Sequence, residues 1–374
     1  MIMSTATLPS PDELDAMMAS IIQRIATGPD LSKDIAEDEA CLGMLGLLED
    51  AVDPVRAAIF LIALRMKRET REENRGVLSA ILETTDRAAA EVDEVLDLAD
   101  PNDGYTRTLP ASPFLPALLA EAGVATVSHG LDRVGPKYGI THRHVLAAAG
   151  VDVDLDTRAA ARRLSDGPGW AYVDQANFAP KLHNLIELRR KMIKRSVITT
   201  VEVLAKPITG RQKTHFVTGY VHKPYPPVYA DLARHAGFDS ALLVRGVEGG
   251  VIPSLRQAGK YFAYHDGGEE TSHDIDPASI GIASEHRCVP VPEDIPQTPK
   301  GEGAVTITDT AAGAQRAAEL GLAALRGEKG ATYDSLVYSG ALILHHLGRA
   351  DSLADAAAQL RAILDSGRAA ERVV

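Results

Sequence analysis

A change in apolar spacing near residue 97 does more than any other feature to limit what this chain can fold into. Upstream, in "LSKDIAEDEACLGMLGLLEDAVDPVRAAIFLIALRMKRETREENRGVLSAILETT", apolar residues recur every three or four positions, the period of one helix face. Ser32 and Asp53 stand at N-cap positions and Pro54 suits a first helical turn, so this part reads as a bundle of short helices. Downstream, "GVATVSHG", "GWAYVDQ", "THFVTGYV" and "ALLVRGVEG" are short apolar runs that predict buried strands, separated by helical stretches such as "PPVYADLARHAGF". Strands that alternate with helices pair in parallel, and a parallel sheet needs both faces covered. The expected fold is α/β, a small helical bundle domain plus a larger α/β domain with a mainly parallel central sheet flanked by helices. Residues 1–97 form the helical domain in this reading, joined by the helical segment 178–207; residues 98–177 and 208–374 form the α/β domain. Residues 260–305, rich in charge, Gly and Pro, read as a strand-and-loop insert, and the chain ends in alanine-rich helices.

Composition narrows the function classes. The chain has 39 basic and 51 acidic residues, a formal charge of -12, which disfavours nucleic acid as a partner unless basic groups gather on one face. Aromatic residues make up 5%, too few for a base-stacking platform. Cys41 and Cys288 form no metal-ligand spacing and fit a reducing compartment. No apolar run approaches the roughly 20 residues that span a bilayer, so no membrane partner is expected and the protein reads as cytoplasmic.

Five stretches, "DIAEDEACLGMLGLLEDAVDPVRAAIFLIALRMKRET", "AGVATVSHG", "FAPKLHNLIELRRKMIKRSVITTVEVLAKP", "DSALLVRGVEG" and "GRADSLADAAAQLRAILDSG", resemble in this order the anthranilate phosphoribosyltransferase family. The resemblance covers nearly the whole chain. It implies a helical domain that carries a homodimer interface, and an active site between the domains where phosphoribosyl pyrophosphate and magnesium bind. Such chemistry needs donors and cations for the charge that develops on departing pyrophosphate.

The motifs that would supply them are altered. Where the family has the loop G-T-G-G-D, this chain has Pro101, Asn102, Asp103, Gly104 and Tyr105. Proline removes a donor, and the acids Asp100 and Asp103 are expected to repel phosphate. The family's N-x-S-T falls on Pro110, Ala111, Ser112 and Pro113, and its K-H-G-N on Ser128, His129, Gly130 and Leu131. A segment with Arg133, Lys137, Tyr138, Gly139, His142, Arg143 and His144 replaces the family's serine-rich loop. Arg189 matches the arginine that contacts the acceptor carboxylate. The paired Asp-Glu for magnesium falls on Val251, Ile252 and Pro253, which cannot hold a hard cation, and Glu248 is the only carboxylate nearby. Losing one preorganised donor costs about 3–4 kcal/mol in the transition state, so these changes together argue against ordinary anthranilate transfer.

Three functions stay open. One is a pentosyl or phosphoribosyl transferase that holds phosphate through Arg107, Arg133, Lys137 and Arg143, without a certain cofactor and with magnesium doubtful. The second is a noncatalytic dimeric sensor of a phosphorylated small molecule. The third binds nucleic acid through Lys181, Arg189, Arg190, Lys191, Lys194 and Arg195 on one helix. Each residue also has a plainer reading: Asn102, Asp103 and Gly104 as a tight turn, His142 and His144 as solvated surface, Arg189 and Arg190 as partners of helix-face acids such as Glu187, and "GVEGG" as a loop without phosphate chemistry. Ser128, His129 and Gly130 end a strand that faces the cleft in this reading.

Overall fold

A computed structural model describes residues 7–28, 30–300 and 304–373. Four helices open the chain: α1 (Pro11–Ile25), α2 (Glu37–Leu48), α3 (Pro54–Lys67) and α4 (Arg71–Thr84). Asp53 caps α3 by accepting from the Val55 and Arg56 amides, with Pro54 in the first turn as expected. Ser32 is no cap. Its hydroxyl donates to the Ile25 carbonyl, closing the end of α1, while α2 starts after Ala36. Thr70 and Glu73 begin α4 with a reciprocal capping box.

The seven-stranded sheet contains β1 (Glu94–Ala99), β2 (Thr126–Gly130), β3 (Trp170–Asp174), β4 (Lys213–Tyr220), β5 (Ser240–Arg245), β6 (Gly259–His265) and β7 (Thr271–Ile275). Their order is β3-β2-β1-β4-β5-β6-β7; the first five run parallel, and β6 and β7 are antiparallel additions from the expected strand-and-loop insert. The period of two along each strand splits the core. Leu96, Leu98, Trp170 and Tyr172 pack with the C-terminal helices, whereas Val95, Ala99, Ala171 and Val173 share a core with the N-terminal helices. Burial of both faces is why these strands read as continuous apolar runs.

Segment 178–207 packs against α3 and α4, but not as one helix. It divides into short pieces at Pro180–His183, Ile186–Met192 and Ile198–Val201. Ile193, in the left-handed region at φ 66°, ends the second piece, because that conformation cannot continue a right-handed helix. The six basic residues read onto one helix are therefore dispersed. No helix among the described residues is long and apolar enough to cross a membrane.

Candidate functional site

Strand order reverses between β1 and β4, and the crevice beyond the carboxyl ends of parallel strands at such a point is the usual place for a ligand. Here a cleft open to solvent lies between the strand ends and the helical layer. Pro101, Asn102 and Asp103 after β1, Thr218 to His222 at the end of β4, Glu248 and Gly249 after β5, and Arg65 of α3 line it.

The loop after β1 is built around a buried carboxylate. Asp100 accepts from the hydroxyl of Tyr105 at 2.7 Å, the amide of Val251 at 3.0 Å, the hydroxyl of Ser112, and His142 Nε2 at 2.9 Å. Burial works to raise the Asp100 pKa, yet His142, Ser112 and Tyr105 outweigh it and hold the group below its ordinary value. Asp100 therefore organises the loop and does not face the cleft. The Gly104 amide donates to the Pro101 carbonyl at 2.9 Å, so the tight-turn reading of Asn102, Asp103 and Gly104 describes their backbone. Gly104 has φ +72°, and a side chain there would meet the Ile140 carbonyl at 2.6 Å. Tyr105 and Ile140 then exchange backbone hydrogen bonds, and Gly139 has no room for a side chain against Tyr105.

Asp103 does point to the cleft, but between two cations. Lys137 Nζ lies 3.2 Å from one carboxylate oxygen and Arg195 donates to the other. The expected repulsion of phosphate is corrected accordingly, since Asp100 turns inward and Asp103 is neutralised where it stands. Glu248 accepts from the Thr106 and Arg107 amides at 3.1 and 2.9 Å and from the Thr108 hydroxyl at 3.0 Å. "GVEGG" is a packing loop: a side chain at Gly250 would meet the Tyr105 hydroxyl, and one at Gly246 would meet the Gly250 carbonyl.

The remaining sequence candidates divide between the cleft and internal contacts. Asn102 and Lys137 line the cleft, and the buried Asn102 Oδ1 has no hydrogen-bond partner among the described residues. Arg107 and Arg133 are exposed and form no ion pair among the described residues. Ser128 and His129 are buried in β2; His129 Nε2 is 2.9 Å from Asp97, and a side chain at Gly130 would lie 3.7 Å from Asn102 Oδ1. Tyr138 takes a positive φ of 51° just before Gly139.

Three expectations need correction. His142 is buried against Asp100 and Ser112, not solvated, because its helix opens directly beneath the loop; His144 pairs with Asp132 at 3.1 Å. Arg143 is not a free phosphate ligand, since it donates to Asp154 at 2.7 Å, Asp174 at 3.4 Å and the Val153 carbonyl. Arg189 forms a buried bidentate pair with Glu202 at 2.8 and 2.7 Å, whereas Arg190 is the residue that pairs with Glu187. Sequence reasoning missed Arg65, Thr199, Thr200, Tyr225 and Tyr229 in the cleft lining. The four-residue spacing of the two tyrosines on one helix face was an available signal.

The residues present do not fit the magnesium that the family resemblance implies. Val251 and Ile252 are packed in the apolar core, and the Glu248 carboxylate is engaged by the Thr106 and Arg107 amides and the Thr106 and Thr108 hydroxyls.

Residues 19–85 match the helical bundle domain of a glycosyl transferase family, and residues 105–370 match its a/b domain. An uncharacterized protein of Aquifex aeolicus is 32% identical over 221 residues, a match covering 59% of this chain and 65% of that relative, just under two thirds of its length. The anthranilate phosphoribosyltransferase of Desulfotalea psychrophila is 26% identical over 362 residues, 94% of each chain. Among solved structures, the anthranilate phosphoribosyltransferase of Thermus thermophilus superposes with TM-score 0.70 at 20% identity, over 96% of this chain and 97% of that one. The Saccharomyces cerevisiae enzyme in complex with PRPP and Mg gives TM-score 0.73 at 16% identity over 96% of each, a likeness of fold. Because both domains match in order and the second alone spans most of the chain, the protein belongs to the glycosyl transferase family that joins a helical bundle to an a/b domain, the anthranilate phosphoribosyltransferase family.

Proposed function

We propose that the protein is a pentosyl or phosphoribosyl transferase whose cleft holds a phosphorylated small molecule by side-chain cations, in place of glycine-loop amides and magnesium. The observation that carries this reading is the convergence of Lys137 and Arg195 on Asp103 inside the cleft. A ligand phosphate exchanges with Asp103 as their partner, and two cations can stabilise charge on a departing phosphate without a metal. Ordinary anthranilate transfer is not the reaction proposed, since Glu202 neutralises Arg189 and the magnesium residues do not fit. Nucleic acid is a poorer match, because Lys181, Arg189 and Arg190 are each engaged by a carboxylate and the basic residues of this segment lie on separate short pieces. A homodimer through the helical domain belongs to the same proposal, supported by Val55 and Met66 of α3, which are 66% and 73% exposed. A monomer in sedimentation equilibrium at micromolar concentration would remove that part. A cytoplasmic location is in keeping with the free thiols of Cys41 and Cys288, each pushed up to about 11 chiefly by burial.

Thermal unfolding with phosphoribosyl pyrophosphate, ribose 5-phosphate, nucleotides or sulfate, with and without magnesium, tests the reading. One phosphorylated sugar should stabilise the protein without metal, by about 2.7 kcal/mol at a hundredfold excess over Kd, and Lys137→Met or Arg195→Met should abolish the shift. No shift with any of them sinks it. Binding without turnover of any acceptor would favour the noncatalytic sensor.

A further inference from the structure

The backbone just past the Pro101–Gly104 turn already holds an anion, supplied by the protein itself. The Thr106 and Arg107 amides and the Thr108 hydroxyl converge on the Glu248 carboxylate at 3.1, 2.9 and 3.0 Å, although 141 residues separate Arg107 from Glu248. Two successive amides with an adjacent hydroxyl are donors of the kind that cradle oxyanions, and nothing about them is particular to a carboxylate. Glu248 reaches them with its own backbone in the left-handed region, at φ 54° and ψ 13°, between Gly246 and the Gly249–Gly250 pair. A non-glycine residue in that region is strained, and its side-chain contacts hold it there. The glycines let the segment change course once those contacts are exchanged. Lys137 Nζ stands 4.0 Å from the same carboxylate and donates to the Glu248 carbonyl, so a cation adjoins the anion wherever it comes from.

We infer that Thr106, Arg107 and Thr108 form an oxyanion-binding site for the phosphate group of a small molecule, and that Glu248 fills this site from within until such a group displaces it. Phosphate offers the same donors one more acceptor oxygen and a larger charge than a carboxylate does. Displacement frees Glu248 and releases the strain at its backbone, so occupancy of the loop and the conformation of the "GVEGG" segment are coupled. The donors here are distinct from the Lys137 and Arg195 side chains of the proposed function.

Isothermal titration with inorganic phosphate tests this. In the native protein the tethered carboxylate competes at high local concentration, so binding is weak. Glu248→Ala should bind phosphate at least about tenfold more tightly. Glu248→Gln, which keeps a neutral acceptor in the loop and guards against loss of folding, should give a smaller gain in the same direction. Adding Thr108→Val to Glu248→Ala should remove most of the gain. Folded Glu248→Ala and Glu248→Gln proteins with native phosphate affinity would overturn the inference, as would a gain that Thr108→Val leaves intact. Lys137 and Arg195 are unchanged in all these variants, so failure here is separable from failure of the sugar-phosphate test.

Discussion

The two ends of the sheet bury polar groups by opposite means. At the carboxyl end the buried groups are charged and matched with opposite charge or several donors: Asp100 with Tyr105, Ser112, His142 and the Val251 amide, and Arg189 with Glu202. At the amino end they are matched with one another. His215 Nδ1 lies 2.8 Å from Ser240 Oγ, which lies 2.9 Å from His346 Nε2, and the His265 ring stacks on His346 with centroids 4.4 Å apart. Burial, and then the neighbouring histidines, push the His346 pKa down to about 3. The charged end can fix the geometry of loops around a cleft, because each carboxylate orients several donors at once. His346 is held neutral when folded, so it packs the base of the sheet and ties stability to pH.

The buried ion pair at the carboxyl end should show the largest loss when one partner is removed. Glu202→Ala leaves the Arg189 guanidinium buried and unpaired and should cost about 3–5 kcal/mol in urea unfolding. The double variant Glu202→Leu with Arg189→Met should recover much of that loss, whereas a cost below about 1 kcal/mol for the single change would show that the pair does not hold this end together. Asp100→Ala is expected next, at about 2–3 kcal/mol, because it strands the Tyr105 and Ser112 hydroxyls and the Val251 amide. Cleft ligands should then bind more weakly; unchanged binding would separate the loop's organisation from the cleft. At the other end the effect is a slope in pH, smaller for each pH unit than the loss from either substitution. His346 has its ordinary value of 6.5 when unfolded and about 3 when folded, so below about pH 6 the unfolded chain binds a proton that the folded chain does not. Stability should fall by about 1.4 kcal/mol per pH unit on acidification from about 6 toward 3, and His346→Gln should flatten the slope by one proton. Equal slopes in the two proteins would contradict a neutral His346. Asp100, held below its ordinary 3.8, keeps its contribution until the pH drops beneath that value.

Much of the architecture was legible because it depends on near neighbours. Asp53 and Pro54 start a helix by contacts within three residues, and the apolar runs around Val127, Ala171 and Val217 are those of strands covered on both faces. The cleft was legible only in part. Asn102, Asp103 and Lys137 were candidates and line it, while Arg143 and Arg189 were candidates of the right chemistry whose partners, Asp174 and Glu202, come from other elements. His142 was the hardest to read, because a histidine at the start of a short helix looks the same in sequence whether it meets water or a buried aspartate.

By itself the sequence determined the helical opening, the parallel strands, and the replacement of a glycine-rich phosphate loop by one with Pro101, Asp103 and Tyr105. Those follow from period, capping and the properties of single residues, all of which act over a few positions. Only the tertiary structure decided what each charge does. Asp100, Asp103 and Glu248 are equivalent acids in sequence, yet one orients a loop, one neutralises two cations, and one fills a set of amide donors. Their roles differ because a carboxylate buried at a strand end answers to whichever donors the fold brings within about 3 Å, and those come from residues far away in the chain.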